Sequence, residues 1–416
     1  MKDRNRNRIE LVLLFSLLVI FLPGQYSVTD MIGYWLKWAL EIHNYGLMNI
    51  YDHSVNVHPG FPYVLYVYDL IMGSNEQIIA HINYLKLFPL LFDFLPVVVL
   101  CCFKQRLIEE KIPFFFLLLN IAYLYNSLIW GQYDSAYTAL CFLAILTALY
   151  NPVIAVILYT IGFFVKFQSI MLLPVMIVVL FYSINNLKTL GKTTLALLTT
   201  SFVFLFPFIL EGKVNQVFYV TAHYVDFMNH VSVQAYNIWY LIVQGSPYDI
   251  NDTSTFFVLS YKQTGLLLFF LFTTITLIPL LKQIITLKFK NQKPDKTTKE
   301  LLMITAGLVS YYFFYFNTQM HERYVHPTLI FFFFYAVYSR NYRPYILVSI
   351  AYFLSLEKTL PNFLPFPHPR FIFGARIIAV IYTLNLAYTM FVFFRKFKPI
   401  VGLSQLTGFI KNKSFS

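Results

Sequence analysis

Residues 152–184 read PVIAVILYTIGFFVKFQSIMLLPVMIVVLFYSI, and the number of times this stretch crosses a bilayer decides the side of everything after it. A straight crossing needs about 20 apolar residues. The halves 152–165 and 168–184 are each shorter, and Lys166 sits between them, where a single crossing would bury its charge. Charge bias arbitrates, because cytoplasmic loops of polytopic proteins carry excess Lys and Arg. With two crossings there are twelve spans, near 9–23, 84–103, 113–130, 135–150, 152–165, 168–184, 193–210, 264–281, 301–316, 327–338, 344–356 and 371–394. Both termini are then cytoplasmic, with 22 Lys and Arg inside and 9 outside. With one crossing the tally becomes 13 inside and 17 outside. Two crossings, or a re-entrant hairpin of the same parity, is the arrangement the charges support.

Working outward, composition agrees. The 416 residues are 58% hydrophobic, 19% aromatic and only 12% charged, with a mean hydropathy of +0.62, which excludes soluble domains. The apolar runs lack the ten-residue alternation of an outer-membrane barrel. The predicted fold is an all-α polytopic membrane domain over 1–416. The net charge of +12 reads as topology rather than nucleic-acid binding. Cys101, Cys102 and Cys141 offer neither a disulfide framework nor metal-ligand spacing. Four basic residues precede the apolar run Ile9–Leu22, as in a signal peptide, but Pro23-Gly24 ends the run without a small-residue cleavage site. An uncleaved first span is expected.

This topology puts all nine histidines outside, His368 among them, with 13 of the 19 acidic residues. The outer face holds two substantial segments, 24–83 and 211–263; the basic loop 282–299 and the basic tail 395–416 are cytoplasmic. Any site is therefore built where the outer segments lie over the bundle.

Candidate residues follow. In TDMIGYWLKWALEI (29–42), Asp30, Tyr34, Lys37 and Glu41 recur at helical spacing opposite a stripe of Ile32, Trp35, Ala39 and Ile42, an interfacial amphipathic helix. Asp30 is either part of its cap, with Thr29, or a base held at the outer surface. VHPGFP (57–62) marks a loop folding back toward the bilayer. Lys86 and Asp93 share one face of the second span, and an intramembrane carboxylate is functional or an ion-pair partner. Asp134 ends the WGQYD turn and starts a helix, as cap or ligand group. Lys166 and Gln168 lie at the break quoted above, which presents a recessed cation. In SVQAYNIWY (232–240), Asn237 and Trp239 are placed on the outer face, for sugar contacts or as interface anchors. The densest group is NTQMHERYVHP (317–327): His321, Glu322 and Arg323 between aromatic spans, suited to a phosphate-bearing ligand. His321-Glu322 is no zinc motif, because His326 falls five residues on. Asp249-Ile250-Asn251-Asp252 is a divalent-cation site or a turn.

The order of these features, an N-in first span, the Asp-bearing loop, WGQYD, KFQ, AYNIWYL and HER, resembles the bacterial polytopic C-type glycosyltransferases, specifically mannosyltransferases related to the enzyme adding the second mannose of GPI anchors. It covers roughly residues 9–345. The resemblance implies a polyprenyl-phosphate sugar as donor, Asp30 in the place of the first-loop catalytic base, and His321 with Arg323 in the place of the late His-bearing motif at the donor phosphate. From position alone, Lys166 and Lys86 join the phosphate site, while Asp93, Asp134, Gln168, Asn237, Trp239 and Glu322 are assigned to sugar or acceptor. The family's acidic-x-acidic metal pattern is absent, Asp30 being followed by Met31 and Ile32; no metal ligand is assigned and a divalent cation stays open. The expected partners are the donor, an unidentified glycan, lipid or protein acceptor and the bilayer of a bacterial inner membrane, without nucleic acid, with the active site extracytoplasmic. A transporter or lipid-linked sugar flippase, an envelope glycan polymerase or ligase, and a structural scaffold are the competing classes; a transporter would show two matching halves, and no half-repeat is visible.

Overall fold

A computed structural model describes residues 2–22, 28–53, 55–103, 110–223, 228–363 and 370–397. The Pro23-Gly24 stop, the Thr29 side chain, His368 and the tail beyond Phe397 lie outside the described residues. The described residues are all-α apart from a two-stranded hairpin, Thr255–Phe256 paired antiparallel with Leu259–Ser260. Among the described residues, four helical runs are long and apolar enough to cross a membrane: Asn75–Cys102, Leu187–Leu210, Tyr261–Phe289 and Ala375–Phe397. Their outward faces carry Leu195, Leu198, Phe202, Leu267, Phe270 and Phe391, all exposed. Such an apolar exterior is unfavourable in water and suited to lipid.

The centre is formed by Asp134–Ala148, Lys296–Phe316 and His326–Ser339, buried nearly all round, as helices apolar on every face must be. The last two are antiparallel neighbours joined by residues 317–325, which brings the polar NTQMHER segment to the end of the bundle core.

The stretch 152–184 is indeed broken. Asn151 caps the first half, its side chain accepting from the Val153 and Ile154 amides, with Pro152 in the first turn. The helix stops at Val165, Lys166 is extended, a 3-10 turn covers Phe167–Leu172, and Leu173–Ser183 resumes. Carbonyls left by the break are taken up locally: Ser169 Oγ donates to Lys166 O at 2.9 Å and Tyr159 Oη to Ser169 O at 2.9 Å. Buried backbone groups need such partners. The VHPGFP loop docks here, His58 packing against Phe163 and Phe167. Gly60 approaches so closely that a Cβ would lie 2.7 Å from Phe164 O and 2.8 Å from Val165 N. Backbone cannot yield as a side-chain tip can, so Gly60→Ala is expected to destabilise the protein by about 1–3 kcal/mol, read as a lower thermal midpoint in detergent; an unchanged midpoint would show that loop and break are not in contact.

The first outer segment departs from the expected regular helix. Val28–Leu36 is π-helical and runs into Lys37–Tyr45. Met31, Trp35, Trp38, Ala39 and Ile42 are buried, whereas Ile32, the first residue of the apolar stripe, is exposed. Wide turns of this kind gather at functional sites, and this one contains Asp30.

Candidate active site

Two turns and one loop build the site. The chain enters WGQYD through a second π-turn, Tyr125–Ile129, closed by the Trp130 amide on Tyr125 O at 2.9 Å. Gly131 then adopts φ 76°, a left-handed conformation that costs glycine little. This geometry sends Trp130 and Gln132 to one carboxylate: Trp130 Nε1 and Gln132 Nε2 donate to Asp30 Oδ2 at 2.9 and 2.5 Å. The last residue of the same turn, Asp134, is fully buried. Its Oδ1 is 2.5 Å from Lys166 Nζ, and its Oδ2 accepts from Asn126 Nδ2 at 3.3 Å. Lys166 is further enclosed by the rings of Tyr133, Tyr137 and Tyr324 at 5.0–5.8 Å, contacts favourable to a desolvated cation.

Arg323 joins the two carboxylates. Its guanidinium lies 3.0 Å from Glu322 Oε1, 3.7 Å from Asp134 Oδ2 and 3.9 Å from Asp30 Oδ2. The loop carrying it is held by the segment 211–263. Val233 N donates to Met320 O at 2.9 Å and Gln319 N to His230 O at 3.0 Å. The buried carboxylate of Asp252 accepts from Thr318 Oγ1 at 2.7 Å and Gln319 Nε2 at 2.9 Å. Gln234 and Gln319, which both lie along this seam, have positive φ, strain that surrounding contacts must hold. Burial, followed by the charge of Arg323, lowers the pKa of His321 from its ordinary value. Its ring is therefore neutral at neutral pH, presenting one donor and one acceptor.

These groups open on a cavity of about 440 Å³ lined by Asp30, Lys166, His321, Glu322 and Arg323, with Trp130, Gln132 and Tyr133 beside them. A second cavity of about 420 Å³ adjoins it, sharing Gln319 and Tyr324. Its walls are mostly apolar, with Ile170, Met171, Leu173, Pro174, Leu266 and Phe270, and include the polar Gln168 and Lys262.

Five sequence-predicted residues thus come together, and six do not join them on the cavity wall. Asp134 is a buried counter-ion beneath the cavity. Lys86 is buried under the WGQYD turn, its Cε 3.7 Å from where a Gly131 Cβ would be. Asp93 is buried near Ser127. Gln168 lines the apolar cavity instead. Asn237 and Trp239, expected as sugar contacts or interface anchors, are buried: their side chains donate to the carbonyls of Phe314, Phe316 and Asn317, closing the C-terminal end of the Lys296–Phe316 helix, whose last carbonyls lack helical partners. The Asp249–Asp252 stretch is a turn, Asn251 Oδ1 accepting from the Thr253 amide and hydroxyl at 2.9 and 2.7 Å. Among the described residues no three His, Cys, Asp or Glu side chains gather as a metal site. Trp130 and Gln132 are the partners that spacing did not single out, although both belong to the quoted WGQYD turn.

No family model and no curated protein matches the chain. The cavity, its charges and the adjoining apolar groove are what a functional reading of this all-α chain has to explain.

Proposed function

We propose that the protein is an inner-membrane glycosyltransferase that moves a hexose, with mannose the first candidate, from a polyprenyl-phosphate sugar to an envelope acceptor on the extracytoplasmic side, with inversion. In this reading the helices form twelve crossings, some short or re-entrant, with both termini cytoplasmic. The observation that supports it most is the pairing of cavities. One carries charged side chains, Asp30 and Glu322 with Lys166 and Arg323, among aromatic rings; the other is mostly apolar, and the two share Gln319 and Tyr324 in their walls. An anionic headgroup on an isoprenoid chain has that division of character.

Asp30 takes the proton of the acceptor hydroxyl as its oxygen attacks the anomeric carbon. The bond from that carbon to the phosphate oxygen breaks, and the electron pair leaves with the lipid phosphate. Arg323 and Lys166 face the developing charge, and neutral His321 supplies a hydrogen bond. The bond to Glu322 uses one of the five guanidinium N–H donors, and Asp134 accepts one of the three ammonium protons.

The test is purified protein in nanodiscs, offered a panel of polyprenyl-phosphate sugars, with mass spectrometry of released carrier phosphate. Saturable binding with release supports the transferase and names the sugar. Binding with movement across sealed vesicles and no release would make the chain a flippase, and no binding would remove the lipid-phosphate reading. Arg323→Ala is expected to weaken donor binding about tenfold or more, since a hydrogen bond to a charged group contributes about 1.5–3 kcal/mol.

A further inference from the structure

The second outer segment carries a feature that the transferase reading does not use. Between the strands Thr255–Phe256 and Leu259–Ser260, the hairpin turn consists of Phe257 and Val258. These residues are 87% and 92% exposed, and Phe257 is held at φ 57°. Turns are normally made of Gly, Asn, Asp and Ser. An aromatic residue at a left-handed φ followed by an exposed β-branched one is the reverse of that rule, and water gives no reason for it.

The hairpin's position in the chain supplies one. Ser260 is both its last residue and the cap of the 29-residue helix Tyr261–Phe289, closed by a reciprocal capping box with Gln263. From Leu266 and Leu267 onward that helix exposes an apolar face that includes Phe270 and Leu271. At 1.5 Å per residue, that face begins only about two turns below the hairpin. The tip therefore continues an apolar surface of lipid-facing character, at the depth where aromatic side chains collect at a membrane interface. No charged residue lies between Asp252 and Lys262, so nothing opposes partition of the tip out of water.

The hairpin is also rigidly joined to the candidate site. Phe256 packs edge-on against Trp239 at 5.8 Å and beside Tyr261 at 4.8 Å, and the Trp239 indole donates to Phe316 O at 3.0 Å. The chain then runs directly into the 317–323 loop. The helix that follows the hairpin contributes Lys262, Leu266 and Phe270 to the apolar cavity.

We propose that the Thr255–Ser260 hairpin is a membrane-dipping finger, its Phe257–Val258 tip seated in the outer leaflet beside the apolar cavity. Seated there, it fixes the height of the 317–323 loop above the lipid surface through Phe256 and Trp239. The occupant is the bilayer itself, so this inference depends on the membrane setting and not on the transferase reading.

The experiment uses full-length protein in phosphatidylglycerol-containing vesicles. Val258→Cys is combined with Cys101→Ser and Cys102→Ser, the two exposed native thiols, and labelled with an environment-sensitive fluorophore. Quenching by doxyl-labelled lipids with protection from aqueous iodide is expected. Phe257→Trp, read as the quenching by brominated lipids gained over the parent with its four native tryptophans, in vesicles of the same charge, gives a second reading without a label. Iodide quenching without lipid quenching would put the tip in water and overturn the proposal. Protection from both would mean that protein, a second copy or another chain, covers the tip, and would overturn it equally. Because the readout is position and not turnover, its failure leaves the transferase assay untouched.

Discussion

Asp30→Asn is expected to abolish transfer while leaving donor binding nearly intact. The asparagine keeps the size of the side chain and an acceptor oxygen for the Trp130 indole and the Gln132 amide, which hold the carboxylate at 2.9 and 2.5 Å, so the turn and the cavity wall stay in place. What it removes is the ability to accept a proton from the incoming hydroxyl, a role that contributes roughly 10²–10⁴-fold to rate. The check is initial rate of carrier-phosphate release beside equilibrium binding of the same donor. Equal turnover by the variant and the parent would take the base assignment away from Asp30. A parallel loss of binding and turnover would instead make Asp30 a counter-ion to Arg323, 3.9 Å away.

Lys166→Met is expected to unfold the protein more readily than the double change Lys166→Met with Asp134→Asn. Lys166 and Asp134 form an ion pair whose side chains are 4% and 0% exposed. Removing one partner of a buried pair leaves the other charge uncompensated, at a cost of about 3–5 kcal/mol, whereas replacing both by neutral groups is often tolerated. Arg323, at 3.7 Å, compensates part of the Asp134 charge in the single variant, which places the expected loss toward the lower end of that range. Thermal unfolding of the three proteins in one detergent reads the order directly. If the single and double variants melted together, Lys166 would not owe its place to Asp134, and its recessed charge would be explained by ligand alone.

That second prediction shows where reading along the chain stopped. The break at Lys166 was legible because both halves are too short to cross alone and a cation interrupts them. The convergence of His321, Glu322 and Arg323 on a cavity was legible because no apolar surround accepts three such groups in a row. The counter-charges were not. Asp134 is 32 residues from Lys166 and nearly 200 from Arg323, and spacing at that range carries no information about contact.

Residue type did not fix which side chains are buried in two places. Ile32 belongs to the apolar stripe of the Asp30 segment, yet it is exposed while Met31 beside it is buried. Asn237 and Trp239 suit sugar contacts or interface anchoring by residue type, yet the open carbonyls at the end of the Lys296–Phe316 helix take up both side chains. By itself the sequence determined an all-α chain of apolar helices, the places where they break, and the loops that carry ionisable groups, because hydropathy and periodicity act over one or two turns. Only the tertiary structure decided which carboxylate meets which cation, which polar groups line the cavity and which serve as caps, because each of those pairings is made by burial between distant segments, where an unpaired charge or carbonyl costs too much to leave.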